Sequence, residues 1–194
     1  MFLEEKKESD IKIIQKTLEN QDNFSIIIER YESKLRRYIR RITNIRNEEI
    51  DDLLQDIFIS TYQNLNSFDQ NLSFSSWIYR IAHNKTINYW KKNKKEIENI
   101  SIDEHLSFIE SIFNEDDLIF ELEKKEEKER LNKALNNLDA KYKEILILKF
   151  IEGKDYKEIS DILQKPMGSI ATLINRGKKY LRQEVQDLTK IKDD

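Results

Sequence analysis

The sequence contains no cysteine, one proline and three glycines in 194 residues. Without thiols there are no disulfides, no thiolate zinc sites and no cysteine nucleophile. So few turn-forming residues cannot reverse the chain as often as a sandwich, a barrel or a doubly wound sheet requires, and an all-α fold is expected. His83 and His105 are the only imidazoles, and His83 has no second ligand nearby in sequence, so neither a metal nor a cofactor is expected. No nucleophile–base pair, phosphate loop or metal cluster can be assembled, which argues against an enzyme. No apolar run approaches the roughly 20 residues that span a bilayer, and the opening MFLEEKKESD is charged where a signal peptide is apolar. A soluble, cytoplasmic protein without membrane insertion is the expectation.

Leu, Ile, Val and Phe together make up about 30% of the chain, well above the composition of disordered proteins. The net charge of −3 conceals an uneven distribution of 34 basic and 37 acidic residues. Residues 24–46 hold seven bases against two acids, residues 47–70 six acids and no base, and residues 80–95 six bases and no acid. Residues 96–129 then hold thirteen acids against three bases, and residues 165–182 five bases and no acid. Such blocks suggest two polyanion-facing surfaces separated by an acidic segment, although any single block also suits a solvated helix face.

Apolar residues at Phe24, Ile27, Ile28, Tyr31, Leu35, Tyr38, Ile39 and Ile42 step by three and four, the period of one buried helix face. A second set runs from Ile50 through Leu53, Leu54, Ile57, Phe58, Thr61 and Tyr62 to Leu65, with Asn47 as its expected N-cap. Ser73 can cap a third helix with Phe74, Trp77, Ile78, Ile81 and Ala82 inward and Arg80, Asn84, Lys85, Asn88, Lys91 and Lys92 outward. A weaker helix around Ile11, Ile14 and Leu18 precedes these, giving a first helical domain over residues 1–94. Periodicity fades over an acidic linker at 95–124 and returns in a second domain at 125–194.

In that second domain Gly153 can end one helix as its C′ residue, and Asp155 or one of its neighbours can start a short helix, with Ile159, Ile162 and Leu163 inside, that stops before Pro166. A longer helix follows, with Ile170, Ile174, Gly177, Leu181 and Leu188 as its inner stripe. Two helices joined by a short turn, the second ending in bases, form the helix-turn-helix pattern. Free amides at Gly168, Ser169 and Ile170 would suit a phosphate. Ala171, Thr172, Asn175 and Arg176 can enter a major groove, and Lys178 and Lys179 can neutralise backbone charge. An ordinary αα-hairpin with a cationic surface would show the same spacing.

Residues 51–58 (DDLLQDIF), 66–69 (NSFD) and 74–88 (FSSWIYRIAHNKTIN) resemble the promoter-melting domain of bacterial sigma factors of the extracytoplasmic-function group. Residues 138–153 (LDAKYKEILILKFIEG) and the helix-turn-helix are similar to the same family's C-terminal domain. The resemblance spans about residues 22–188 in the family's own order. It implies a transcription initiation factor that binds core RNA polymerase and directs it to promoter DNA.

By that resemblance Asp52, Gln55, Asp56 and Ile59 would dock on the clamp helices of the polymerase's largest subunit. The helix from Phe74 to Lys92 would follow the −10 element. Phe68 and Asn84 match the positions that hold a base turned out of the stack, an aromatic face for its ring and an amide for its edge. Phe68 could equally be a staple holding its loop to the domain, and Trp77 is expected in the core. Arg80, Lys85, Asn88, Lys91 and Lys92 would line the −10 strand, and Ser169, Thr172, Asn175, Arg176, Lys178 and Lys179 the −35 element. The acidic linker would thread through the polymerase or serve as a tether.

Relatives commonly carry a base where Ala171 and Leu173 stand, so Leu173 could be packing, a thymine-methyl contact or an unused position. Neither a zinc-binding anti-sigma module nor a membrane segment is visible, so regulation is expected from another chain such as an anti-sigma factor, or from expression level. A stand-alone helix-turn-helix regulator is the competing reading, and it leaves the acidic helix and the Phe68/Asn84 helix without a task.

Overall fold

The computed structural model describes residues 8–43, 45–92 and 133–193. Every regular element among them is helical. The chain divides into two compact units, Met1–Glu96 and Ile97–Asp194. The acidic stretch at 95–124 and His105 lie outside the described residues.

The first unit comprises α1 (Asp10–Glu19), α2 (Phe24–Ile42), α3 (Asn47–Gln63) and α4 (Phe74–Lys92). The spacing of three and four in α2 buries Ile27, Tyr31, Leu35, Tyr38 and Ile39. Against them lie Ile50, Leu53, Leu54 and Ile57 of α3, and Phe74, Ile78, Tyr79 and Ala82 of α4. Each Leu, Ile or Phe side chain among these contributes about 1.5–3 kcal/mol on leaving water. The Tyr38 and Tyr79 rings meet with centroids 5.2 Å apart. On α1 the buried residues are Ile13, Ile14 and Thr17, while Leu18, expected inside, is exposed. Asp10 ties α1 to α2 by accepting hydrogen bonds from Arg30 and the Tyr31 hydroxyl, each at 2.6 Å. Burial and that carboxylate push the Tyr31 hydroxyl well above the ordinary phenol range.

The second unit runs from a helical stretch at 133–137 through α5 (Ala140–Leu146), which continues as a π-helical segment (Ile147–Ile151), to α6 (Tyr156–Leu163) and α7 (Met167–Asp193). Gly153 has φ +65°, the left-handed conformation expected of a residue that closes a helix. Asp155 caps α6 reciprocally: its carboxylate accepts from the Glu158 amide at 2.7 Å, and its own amide donates to Glu158 at 3.0 Å. Ile159 and Ile162 of α6 and Ile170, Ile174, Gly177 and Leu181 of α7 are buried, as the spacing predicts, whereas Leu163, expected inside α6, is only half-buried. Val185 carries the stripe onward, and Leu188 is only half-buried.

Lys143 of α5 is buried, with its ammonium donating to Asn136 at 2.8 Å. Burial lowers its pKa to about 8, against an ordinary value of 10.5. An unfolded chain therefore holds this proton over a range in which the folded chain has released it, and the group's contribution to stability rises with pH between those two values. Lys143→Met is expected to raise the melting temperature at pH 7 and to flatten this alkaline rise in thermal melts. An unchanged slope would refute the assignment.

Candidate nucleic-acid and partner interfaces

The start of α3 is set one residue earlier than expected. Arg46, not Asn47, occupies the N-cap, and Glu49 reaches back to accept from its amide at 2.8 Å. The other Glu49 oxygen accepts from the Tyr89 hydroxyl of α4 at 2.6 Å, and this bond holds the carboxyl below its ordinary range. Asn47 accepts instead from Arg40 at 3.3 Å. The acidic face of α3 is thus clamped to the helix that carries the basic face.

Asp52, Gln55, Asp56 and Ile59 are all exposed along α3, one turn apart in the pairs 52/56 and 55/59, above the buried Leu53, Leu54, Ile57 and Phe58. Ile59 is 54% exposed, unusually open for a large aliphatic side chain on a packed helix. Beside this face α2 and α3 leave a groove of about 890 Å³, walled by Phe24, Ile28, Leu54, Phe58, Ile59 and Tyr62. Helical spacing places Phe24, Ile28 and Tyr62 in the buried stripe, but they are half-buried or exposed groove walls. No neighbouring element covers that end of the stripe among the described residues. Arg36 closes one end of the groove through ion pairs to Asp51 and Glu32.

The basic block at 24–46 is partly structural. Arg30 is held by Asp10, Arg36 by Asp51 and Glu32, and Arg41 is buried at 4% exposure. The block on α4 is different. Asn84, Asn88, Lys91 and Lys92 are exposed, and Arg80 and Lys85 are half-buried. Helical spacing sets Arg80, Asn84, Asn88 and Lys91 along one ridge. Ser73 caps this helix as expected, its hydroxyl accepting from the Ser76 amide at 3.3 Å.

Phe68 lies in the loop before α4 and is 7% exposed. Its ring meets Phe74 edge-on at 5.4 Å and Trp77 at 5.1 Å. Trp77 is half-buried and not fully inside, so the three rings form a small aromatic wall at the foot of the ridge carrying Asn84. The loop around it is ordered by Asp69, whose carboxylate accepts from the Asn71 amide at 2.9 Å.

In the second unit, α6 and α7 are joined through Gln164, which takes the left-handed conformation at φ 52°. Ser160 closes the turn by donating to the Lys165 carbonyl at 2.5 Å. Ser169, Thr172, Asn175, Arg176 and Lys179 are exposed on one side of α7, opposite its buried stripe. Lys178 is half-buried, with its ammonium 5.8 Å from the Phe150 ring centre. Ala171 and Leu173 flank the exposed face and are both half-buried. The amides expected to be free for a phosphate are not all free. Those of Ser169 and Ile170 donate to the Pro166 carbonyl at 2.9 and 3.1 Å, because that residue supplies the first acceptor of the helix.

Among the described residues no group of three or more His, Cys, Asp or Glu side chains could hold a metal ion. No described helix is long and apolar enough to cross a membrane.

Residues 27–96 match the family model of sigma-70 region 2, and residues 128–181 that of sigma-70 region 4. The ECF RNA polymerase sigma factor SigW of Bacillus subtilis is 32% identical over 177 residues, 87% of this chain and 92% of that protein. The ECF RNA polymerase sigma-E factor of Haemophilus influenzae is 27% identical, over 85% of this chain and 88% of its own length. Among solved structures, CnrH in complex with the cytosolic domain of CnrY has the same fold, with a TM-score of 0.65 at 21% identity over 91% of this chain and 96% of that one. So does RpoE of Bartonella quintana in complex with the anti-sigma factor NepR, with a TM-score of 0.62 at 20% identity over 87% and 98%. Two sigma regions in the right order, carried on two separate helical units, place this chain in the sigma-70 family, in its extracytoplasmic-function group.

Proposed function

We propose that this chain is a transcription initiation factor that docks on core RNA polymerase through the acidic face of α3, follows the −10 element with α4 and grips the −35 element with the exposed side of α7. The observation that carries this reading is the segregation of charge onto separate helices, acidic on α3 and basic on α4 and α7, within the two matched sigma regions. Residues 1–94 would be the docking and melting domain and residues 125–194 the upstream-binding domain, with the acidic stretch at 95–124 between them. The factor works by binding, in the cytoplasm, and the polymerase performs the chemistry. An anti-sigma factor competing for the open α2–α3 groove and the adjoining α3 face would hold it inactive.

Run-off transcription with purified core polymerase and a promoter library tests the reading. Initiation at a defined subset of promoters, dependent on this chain, is the expected result. Tight promoter binding by the free chain with no effect on polymerase would establish a stand-alone regulator instead.

Asn84 provides a sharper test of the N-terminal surface. Asn84 is exposed on the ridge of α4, one turn from Arg80 and Asn88, so truncating it leaves the core untouched. Asn84→Ala is expected to leave polymerase binding intact and to lower promoter opening by about tenfold or more, since a base contact of this kind is worth roughly 1–3 kcal/mol. The loss should be concentrated at one base of the −10 element. An equal loss on every promoter variant, read by permanganate footprinting, would make Asn84 a backbone contact.

A further inference from the structure

On the exposed side of α7, Gly168, Thr172, Arg176 and Lys179 follow one another at helical spacing, and no acid occurs between residues 165 and 182. The three glycines of the chain have different reasons to exist. Gly153 is needed for its φ of +65°, and a Cβ at Gly177 would stand 3.3 Å from Leu146. Gly168 has neither reason: its φ is outside the left-handed region, and a Cβ there would meet nothing within 4 Å among the described residues. Glycine weakens a helix relative to alanine, and the fold does not use what glycine offers here. The missing side chain therefore leaves room for something outside the chain.

Thr172 lies one turn further on the same side, exposed, and its hydroxyl donates to the Gly168 carbonyl at 2.9 Å. The hydroxyl hydrogen is thus committed within the helix. What Thr172 offers outward is a methyl group and an oxygen lone pair, without a donor. In a major groove the group that an outward methyl recognises is the thymine 5-methyl.

We infer that Gly168 and Thr172 together form an apolar notch on α7 that reads the 5-methyl group of one thymine in the upstream promoter element. Gly168 gives the clearance for the helix to approach the base edge, Thr172 supplies the methyl contact, and Arg176 and Lys179 hold the flanking phosphates. This inference rests on the proposal that α7 grips the −35 element.

The test replaces each upstream thymine in turn by deoxyuridine, which removes only the methyl group. Binding of the holoenzyme, assembled from core polymerase and the full chain, is then titrated on each duplex. One position is expected to show a loss of about fourfold, the worth of one buried methyl-sized group. Thr172→Ser should erase that loss, and Thr172→Val should retain it. Gly168→Ala should melt no lower than the parent, because alanine restricts the unfolded chain, yet weaken promoter binding severalfold. If the upstream element is required but no thymine position responds, or the response survives Thr172→Ser, the notch is refuted while the helix-turn-helix assignment stands. Parental promoter affinity in Gly168→Ala refutes the clearance in the same way. If scrambling the whole upstream element changes nothing, the assignment of α7 to that element falls, and the notch with it.

Discussion

Asp52→Arg combined with Asp56→Arg is expected to abolish co-purification with core RNA polymerase while leaving helix content and melting temperature at parental values. Both carboxylates are exposed, one turn apart on α3, with no ion-pair partner among the described residues. Reversing them therefore removes no contact that holds the fold. Asp51, by contrast, is paired with Arg36 and is a poor target, because its loss disturbs the contact between α2 and α3. At an electrostatic interface two reversals turn attraction into repulsion, and like charges brought together cost several kcal/mol, so affinity should fall by roughly a hundredfold or more. The effect should lie mainly in association and weaken as salt is added. Unchanged retention of polymerase in a pull-down at low salt would remove α3 from the interface.

The largest expected effect on stability comes from Phe68→Ala. The ring is buried against Phe74 and Trp77, and Phe74 in turn meets Tyr31 of α2 with ring centres 5.6 Å apart. Removing it opens a cavity between the loop and the domain, and truncation of a buried Phe costs about 3–5 kcal/mol. The melting transition of the N-terminal unit should shift down accordingly. Phe68→Leu separates the two tasks assigned to this ring. It refills most of the volume, so stability should largely recover, whereas promoter opening should stay impaired if the aromatic face also meets an unstacked base. Full recovery of opening in Phe68→Leu would make the ring a staple only. A melting transition unmoved in Phe68→Ala would contradict its burial.

Asp52 and Asp56 were legible because an exposed helical position needs only a period and a charge, and both are present in the sequence. Phe68 was not legible to the same depth: an aromatic residue in a loop can cover a core or face a ligand, and the choice depends on neighbours far along the chain. The groove beside α3 was hidden for a related reason. Phe24, Ile28 and Tyr62 keep the spacing of a buried stripe, but a period identifies a face without telling what, if anything, packs on it.

By itself the amino-acid sequence determined the helical class, most of the inward residues of α2, α3, α6 and α7, the cap at Ser73, a helix start at or beside Asp155, and the sigma-like motifs. All of these are local, set by spacings of three and four residues or by a side chain bonding its own helix start. The tertiary structure alone decided that Arg41 and Lys143 are buried, that Glu49 bridges α3 to Tyr89 on α4, and that Leu18 is left outside. Each of those outcomes depends on which helix lies against which. The amides at the start of α7 and the hydroxyl of Thr172 fall between the two cases: the bonds are short-range, yet the sequence does not say which acceptor each donor takes. Chain periodicity assigns a residue to a side of its helix, and only the packing of the other helices gives that side its chemistry.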